Sequence, residues 1–546
     1  MRKLLFLLLL AGLMVGCRQD DPTDVTPTGG TPGPSPVEAG TPVAEATAAP
    51  TDTPAPTPTL TPTPRPPKDL VVCVGAEPAD LYLYGDNSSA ATAVRHALYE
   101  SPITSLGYEY QPLALEKLPS LAGGEARRQT VEATEGDLVV TASGELAPLG
   151  QGTTVMDANG QAVTYDGQPI PMIQLVVEYT FRPLVWSDGT PVTAEDSVYS
   201  FRLAADRSAP RADVPSRYTA AYEAVDEHTV RWTGLPGYHD PTFMTHVWTP
   251  LPEHQLGEFD PAELPALDEA ARQPLSYGAF VVESWTPGEA IRLVPNPYYD
   301  RAAEGLPNLT SLTFRFLTPE PGSLPQGYED CHILTSDLLP FDTLAAVDAA
   351  AAGGELVEHV TTTGVIEQII FGIDHSGAFA ETHVPWFADT RVRQAVTQCI
   401  DRQALVDEFT GGRAEVMDTF VPNDHALHPD DLPQWSYDPP AANALLDEAG
   451  LFDNNGDGVR EALGATTPFS VTLGTVAGDP LRQQLNERVR DDLAECGIQV
   501  NPYTLEAGAW FASGPSGAVF GRKFDLAQFA WLSRIPPDCG MYLTAN

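Results

Sequence analysis

Residues 186–198 read WSDGTPVTAEDSV and carry a clear local structural signal. Asp188 and Gly189 form a turn signal, because both residue types tolerate tight backbone geometry. Thr193 then provides a hydroxyl N-cap, and two acidic residues follow where they complement the positive end of a helix. The pattern predicts a turn followed by a helix at residues 193–205.

The same alternation of strands and helices extends over most of the chain after residue 68. Short apolar runs predict strands at residues 69–75, 173–181, 291–294, 311–316, 366–373, 469–473, 498–503 and 524–531. The segments between them predict helices at residues 193–205, 390–408, 440–449 and 480–495. Strands that alternate with helices of this length predict an α/β architecture.

The composition sets limits on function. The 546 residues include 30 Lys and Arg against 74 Asp and Glu, which gives a formal net charge of −44. Affinity for nucleic acids and for anionic lipid surfaces comes from clustered basic side chains, so this balance argues against both as partners. A hydrophobic content of 42% is enough to form packed cores.

The N-terminus has the pattern of an export signal. Two basic residues precede an apolar run at residues 4–15, which is shorter than the ~20 residues that a membrane-spanning helix needs. The run ends in LMVGC at residues 13–17, which resembles a bacterial lipobox. Residues 1–17 are therefore predicted to be a lipoprotein signal peptide, and a lipid on Cys17 would tether the protein to a membrane. The alternative is an ordinary signal peptide with an incidental cysteine.

Residues 18–67 have the composition of a stalk. About half of them are Pro or Thr. Proline fixes the φ angle and removes a backbone donor, so this segment is predicted to form neither sheet nor helix. We expect a disordered, extended spacer that holds the folded part outside a membrane.

Four segments in a fixed order resemble a known family. They read WSDGTPVTAEDSV (186–198), YGAF with NPYY (277–280 and 296–299), FADTRVRQA (387–395) and YDP (437–439). In this order and spacing they resemble the family 5 extracellular solute-binding proteins, which are the peptide-type receptors of ABC importers. The resemblance covers the chain from about residue 68 to its end.

The resemblance implies a two-lobed α/β fold of the periplasmic-binding-protein type, in its large, type II peptide-binding class. Lobe I would span residues 68–363, with an extra small subdomain at about residues 96–175. Lobe II would span residues 364–546 and would be incomplete, because family members continue beyond this point and return to the first lobe. The C-terminus therefore looks truncated.

The resemblance also implies a function. The protein would be an extracytoplasmic, lipid-anchored and monomeric receptor that captures oligopeptides or similar-sized polar solutes and delivers them to ABC permease subunits. No common hydrolase, zinc-protease or nucleotide-binding motif is found in the sequence, which predicts a protein without enzymatic activity. A stalked extracytoplasmic hydrolase, and a sensor or adhesion lipoprotein that reuses the binding fold, remain as alternatives.

Candidate ligand contacts are aromatic, since flat side chains hold extended ligands well. The family places a ligand-facing aromatic at the end of the strand predicted at residues 524–531, which corresponds to Trp531. Tyr99, Trp248 and Phe371 are further candidates, each with the alternative of a core residue. Arg534 follows Trp531 and suits a carboxylate or another anion better than an α-ammonium group.

The sharpest metal-type motif lies at residues 453–458, which read DNNGDG. Asp453, Asn455 and Asp457 match the start of a calcium loop, with Gly at its sixth position. Gly464 stands where an EF-hand needs a bidentate Glu, so the motif predicts a weak Ca²⁺ site or a plain turn. No cofactor is predicted to be required.

The cysteines suit an oxidising compartment. Five remain besides Cys17: Cys73, Cys331, Cys399, Cys496 and Cys539. Family topology places Cys73 and Cys331 on neighbouring strands of the first lobe, which makes them disulfide candidates. The other three fall in the second lobe, and their pairing stays open.

Overall fold

The computed structural model describes residues 68–206 and 214–537, apart from residues 513, 515, 534 and 536. The predictions for Cys17, for the stalk at 18–67, and for Arg534 and Cys539 fall outside the described residues.

The strands follow the predicted apolar runs and add a group of short hairpins. In the first half of the chain they are β1 (Asp69–Val74), β2 (Ile103–Thr104), β3 (Gln111–Pro112), β4 (Ala126–Ala133), β5 (Leu138–Val140), β6 (Leu146–Pro148), β7 (Thr154–Met156), β8 (Ala162–Thr164), β9 (Ile170–Thr180), β10 (Thr219–Ala224) and β11 (Thr229–Gly234). They continue with β12 (Phe280–Thr286), β13 (Ala290–Pro295), β14 (Ser311–Phe316), β15 (Ile333–Leu334), β16 (Val365–Phe371), β17 (Leu451–Phe452), β18 (Glu461–Ala462), β19 (Ser470–Val476), β20 (Gln499–Leu505) and β21 (Leu526–Leu532).

The helices lie between these strands. They are α1 (Ser89–Leu98), α2 (Ala194–Ala205), α3 (Val214–Arg217), α4 (Glu253–Leu256), α5 (Asp268–Ala271), α6 (Leu344–Gly353), α7 (Gly377–Thr382), α8 (Thr390–Cys399), α9 (Arg402–Thr410), α10 (Pro439–Glu448), α11 (Pro480–Ala494) and α12 (Ala507–Trp510). Short 3₁₀ turns occur between several of them.

The N-terminal half contains two sheets around one large core. The first sheet has the order β12-β13-β14-β1-β15, in which β1 runs parallel to β14 and β15. The second sheet is antiparallel and has the order β10-β11-β9-β4. Trp186, Trp232 and Tyr277 are buried between these sheets and helices α1 and α2. We call the buried cluster to which these three residues belong the first core.

The WSDGTPVTAEDSV segment is scaffold. The indole Nε1 of Trp186 donates to Oδ2 of Asp196 at 3.3 Å, and the backbone N–H of Thr193 donates to the same oxygen at 2.8 Å. Oδ1 of Asp196 accepts the backbone N–H of Glu253 at 3.0 Å. One buried carboxylate thus joins the turn, the start of α2 and the start of α4, and both of its oxygens are engaged within the chain.

A small second layer of hairpins extends from the antiparallel sheet. β4 and β9 pair from Ala126–Val177 to Ala133–Ile170, and the hairpins β5–β6 and β7–β8 lie between them in the chain. Their apolar side chains form a separate small core of Ala133, Val139, Leu149, Val155, Tyr165, Ile170 and Met172. This core lies within the residue range predicted for an added subdomain, whereas α1 packs in the first core.

The C-terminal half forms around a third sheet with the order β16-β21-β19-β20. β19 runs parallel to β20 and β21, and β16 runs antiparallel to β21. One face is covered by α8, α10 and α11, and it includes the buried side chains of Phe387, Phe469, Leu473 and Leu493. We call this set the second core. The opposite face carries a smaller cluster around Trp510 and Phe529.

The prediction of a single helix at residues 390–408 is wrong. The chain leaves the helical conformation at Ile400, where φ is −96° and ψ is 121°. Asp401 then caps α9, because its carboxylate accepts the backbone N–H of Ala404 at 3.0 Å. The capping aspartate therefore divides the segment into α8 and α9.

In the described part of the chain, two disulfides join residues that are far apart in sequence. Cys73 of β1 is bonded to Cys331, two residues before β15, which is the pair that the family resemblance implies. Cys399 at the end of α8 is bonded to Cys496. Each bond lies within one half of the molecule, and neither connects the first core to the second.

Candidate functional site

Trp531 lies near the C-terminal end of β21, opposite Ile366 of β16. Its ring is half-buried and packs against the Trp510 and Phe529 cluster, on the face of the third sheet opposite the second core. The centroids of the Phe529 and Phe520 rings lie 6.0 and 6.3 Å from it, both in edge-to-face orientation. The indole is therefore held by neighbours on one side and remains accessible on the other.

Phe371 lies at the opposite end of the same strand pair. It is paired with Leu526, whereas Trp531 is five residues further along β21. Its ring packs against Phe387, with 5.1 Å between centroids, on the side of the second core. The structure thus places Phe371 and Trp531 on different faces and does not bring them into one site.

Tyr99 and Trp248 are both side chains of the first core and are 6% exposed. The Tyr99 ring lies 5.7 Å from that of Tyr277, and burial raises its pKa. The Trp248 ring meets Phe201 and Tyr222, each at 4.7 Å between centroids. These contacts account for both aromatic residues without a ligand.

A cavity that the sequence did not predict lies on the face of the third sheet opposite the second core. Its volume is about 380 Å³, and its walls come from α7, β19, β20 and the chain around α12. Phe379 and Leu505 are apolar wall residues, and Thr472, Tyr503 and Lys523 supply polar groups. A neighbouring cavity of about 780 Å³ shares Phe379 and Lys523 with it.

A buried carboxylate lies behind this cavity. Asp525 is 2% exposed, and its Oδ2 accepts the backbone N–H and the hydroxyl of Thr472 at 2.9 and 2.8 Å. The Nε2 atom of His375 lies 3.6 Å from Oδ1 of Asp525. Burial, followed by the charge of Asp525, raises the pKa of Tyr503 to about 12, so this phenol stays protonated at neutral pH.

No local sequence motif marks these cavity residues. Phe379 lies in a six-residue helix, Thr472 and Tyr503 lie on adjacent parallel strands, and Lys523 lies in a turn-rich segment before β21. The residues come from four separate segments that meet only in the folded chain. Gly474 lies between Thr472 and Val476 on this strand and leaves room for the Trp510 and Tyr503 rings, which lie 2.5 and 2.6 Å from where a Cβ atom would stand.

The acidic loop at residues 453–458 binds its own backbone. Both carboxylate oxygens of Asp453 accept backbone N–H groups, from Gly456 at 2.6 Å and Gly458 at 3.0 Å, and these bonds lower its pKa. The side-chain oxygen of Asn455 accepts the N–H of Asp457 at 2.8 Å. Within residues 68–206 and 214–537, no group of three or more His, Cys, Asp or Glu side chains is arranged to hold a metal ion. Calcium binding by Asp453, Asn455 and Asp457 stays a prediction.

The family assignment rests on a match over most of the chain. A family model that describes the bacterial extracellular solute-binding proteins, family 5 Middle, matches residues 174–546. The chain belongs to this family. The recognition made from the sequence segments is thereby confirmed, and so is the two-lobed α/β fold of the periplasmic-binding-protein type.

Proteins with similar sequences are named as peptide-binding proteins. The oligopeptide-binding protein AppA of Bacillus subtilis is 26% identical over 360 residues, which are 64% of this chain and 61% of AppA. A putative ABC transporter peptide-binding protein of Brucella ovis is 25% identical over 336 residues, 61% of this chain and 58% of that protein. The chain thus spans about three fifths of the length of these relatives.

Solved structures show the same fold. That of AppA from Bacillus subtilis in complex with a nonapeptide is 21% identical, covers 87% of this chain and 82% of its own, and has a TM-score of 0.50. The oligopeptide-binding protein from Thermus thermophilus, complexed with a pentapeptide, is 20% identical with a TM-score of 0.53, at 86% and 78% coverage. NikA from Brucella suis in complex with Fe(III)-EDTA is 16% identical with a TM-score of 0.56, at 85% and 79% coverage.

Helices in the described part of the chain are too short or too polar to cross a membrane.

Proposed function

We propose that this protein is the solute-capturing subunit of an ABC importer and that it takes oligopeptides or polar solutes of similar size. The observation that carries the proposal is the family match over residues 174–546. Relatives named as oligopeptide-binding or peptide-binding proteins support the ligand class. In this proposal the protein performs no chemistry, acts as a monomer and passes its ligand to permease subunits.

The proposal includes the location of the protein. A lipid on Cys17 would anchor the chain to the cell membrane on its extracytoplasmic side, and residues 18–67 would act as the spacer. The support is the sequence pattern of a signal, a lipobox-like site and a Pro/Thr-rich segment. The family description as extracellular proteins agrees with this location.

Ligand capture is tested on the full chain purified from its own cells under mild conditions. We expect mass spectrometry of the acid-released small molecules to find short peptides or a polar solute, and calorimetry to show that the released pool binds again. A purified chain that neither carries nor rebinds any peptide or polar solute would contradict the proposal. Turnover of the rebound pool into smaller products would instead favour the hydrolase alternative.

Lobe closure in this proposal involves an aromatic contact between the segment after β2 and the loop that follows α9. Tyr108 follows β2, whose Ile103 packs on the first core. Its ring lies 4.8 Å from that of His425, centroid to centroid. Arg402, at the start of α9, donates to the carbonyl oxygen of Met417 at 2.9 Å and so fixes the loop that carries His425.

The backbone at Tyr108 is arranged to present this ring. Tyr108 has a φ of 60°, in the left-handed region that non-glycine residues rarely adopt, and Gly107 before it has a φ of 68°. Asp424, the residue before His425, accepts a hydrogen bond from the Thr362 hydroxyl, and this bond lowers the pKa of the Asp424 carboxyl group. We propose that the Tyr108–His425 contact helps to set the equilibrium between open and closed arrangements of the lobes.

We expect His425→Ala to shift this equilibrium toward the open arrangement by about threefold to tenfold, because an aromatic pair contributes about 0.5–1.5 kcal/mol beyond its buried area. The measurement is small-angle X-ray scattering of the ligand-free protein, together with hydrogen exchange in the His425 loop. Tyr108→Gly, which suits the left-handed backbone, should give the same result. His428→Ala in the same loop is the control. Scattering and exchange that match the wild type in both variants would contradict this role.

A further inference from the structure

Lys523 is a basic side chain without an acidic partner in a strongly acidic protein. Its ammonium group donates to the carbonyl oxygen of Ser516 at 3.2 Å. Among the residues that the structure describes, no carboxylate lies within ion-pair distance of it, whereas most described arginines have such a partner. In a protein with 74 acidic and 30 basic residues, an unpaired lysine beside a cavity supplies a positive charge that an anion from outside the chain can meet.

The nearest carboxylate is already engaged. Asp525 is only two residues away from Lys523 in sequence, but its Oδ2 is bonded to Thr472 and its Oδ1 faces His375. These contacts occupy the acid, and it forms no ion pair with Lys523 in the described part of the chain. The charge of Lys523 remains available at the point where the two cavities of 380 and 780 Å³ adjoin.

A second donor lines the same cavity. Tyr503 keeps its phenolic proton at neutral pH, since burial and Asp525 raise its pKa to about 12. No hydrogen bond joins the Tyr503 hydroxyl to another residue in the described part of the chain, and its ring is held by Trp510 at 6.1 Å between centroids. Tyr503 and Lys523 together offer two hydrogen-bond donors, which suits a carboxylate and not an ammonium group.

Most of the remaining wall of the smaller cavity is apolar. It is formed by Phe379, Leu505, Ala509 and Ala518 together with Thr472 and Ser516, and none of the described residues that line either cavity is acidic. The Phe379 ring is stacked on that of His383 with 3.5 Å between centroids, which fixes one wall. A volume of about 380 Å³ lies in the range of small-molecule sites. These walls suit a compact apolar or aromatic body.

We propose that this cavity binds a small carboxylate with an apolar body, such as an N-acylated hydrophobic amino acid. Lys523 and Tyr503 hold the carboxylate, and Phe379 and Leu505 contact the apolar part. The site belongs to the C-terminal half alone, and it does not depend on the proposed transport function. It can therefore be measured without a permease and without knowledge of the transported solute.

The test compares N-acetyl-L-phenylalanine with its neutral carboxamide, N-acetyl-L-phenylalaninamide, by calorimetry on the full chain. We expect the acid to bind at least tenfold more tightly than the amide at pH 7. Lys523→Met should remove this difference by weakening the acid about tenfold and leaving the amide unchanged. Lys68→Met, at an exposed lysine before β1, should behave like the wild type.

A second measurement locates the site without a substitution. Hydrogen exchange of the wild type should slow in α7 and in β20 when N-acetyl-L-phenylalanine is added, and it should not change in β9 or β11. Equal affinities of the acid and the amide would overturn the proposal. So would Lys523→Met binding the acid as the wild type does, or protection confined to other parts of the chain.

Discussion

Replacing Trp232 with alanine is expected to lower the free energy of unfolding by about 3–5 kcal/mol, which is the usual cost of removing a buried Trp. Trp232 lies in β11 and is fully buried in the first core. Its Nε1 donates to the hydroxyl of Thr219 at 2.7 Å, and its ring stacks on that of His246 with 4.6 Å between centroids. The substitution would remove both contacts and leave a cavity between the antiparallel sheet and the loop that follows it.

His246, which stacks on the Trp232 ring, increases the expected loss of stability. His246 is 2% exposed, and its Nε2 lies 3.0 Å from Oδ2 of Asp240. Burial alone would raise the pKa of Asp240, but the neighbouring His246 ring and the hydrogen bonds from Thr242 outweigh it and hold that pKa well below its usual value. Without the indole, water could reach this polar pair, and the order of the loop would be lost with the packing.

Urea denaturation of the full chain, followed by circular dichroism, measures the effect. Trp232→Phe keeps most of the buried area and loses the hydrogen bond, so it should cost about 1–2 kcal/mol. Val357→Ala is the surface control, since Val357 is 79% exposed, and it should change stability by less than about 0.5 kcal/mol. If Trp232→Ala costs no more than Val357→Ala, the first core does not depend on this residue.

Local signals were sufficient for much of the fold. β1, β14 and β21 lie within a few residues of the predicted runs, because each is an apolar stretch bounded by residues that end strands. α2 begins where the Thr193 cap and the acidic residues after it predict a helix start. In each case the information lies within about ten residues of sequence, where backbone propensity and capping act.

Longer-range features could not be read in this way. At the break between α8 and α9 two local signals conflict. The amphipathic pattern favours one continuous helix, whereas Asp401 favours a new helix start, and the structure follows Asp401. Tyr99 and Trp248 look the same in sequence whether they face a ligand or a core, and the structure places both in the first core. The cavity beside Lys523 is formed by residues from four segments, so no motif in one segment predicts it.

The pairing of the cysteines is a further case of this limit. The family resemblance singles out Cys73 and Cys331, because it places them on neighbouring strands. For the remaining three, sequence alone allows several pairs. The structure resolves this choice by packing: α8 and α11 lie together on one face of the third sheet, which brings Cys399 next to Cys496, and both are buried in the second core.

Loss of this bond is the second large effect that we expect. Cys399 and Cys496 are separated by 97 residues in sequence, so the bond restricts a long loop in the unfolded chain. Replacing both with alanine should lower the free energy of unfolding by about 2–5 kcal/mol. Both positions are nearly inaccessible to solvent, and alanine introduces no unpaired polar group there.

Cys539→Ala is the matched control, because Cys539 is the other cysteine predicted for the second lobe. If Cys399 is bonded to Cys496, Cys539→Ala leaves the urea midpoint of the oxidised protein unchanged, and mass spectrometry of non-reduced peptides finds the two partners linked. A reductant should then destabilise the wild type more than the double alanine variant, which has already lost this bond. A Cys539→Ala variant as unstable as the double variant would show that one of the two cysteines is bonded to Cys539, and the packing of α8 against α11 would have to be revised.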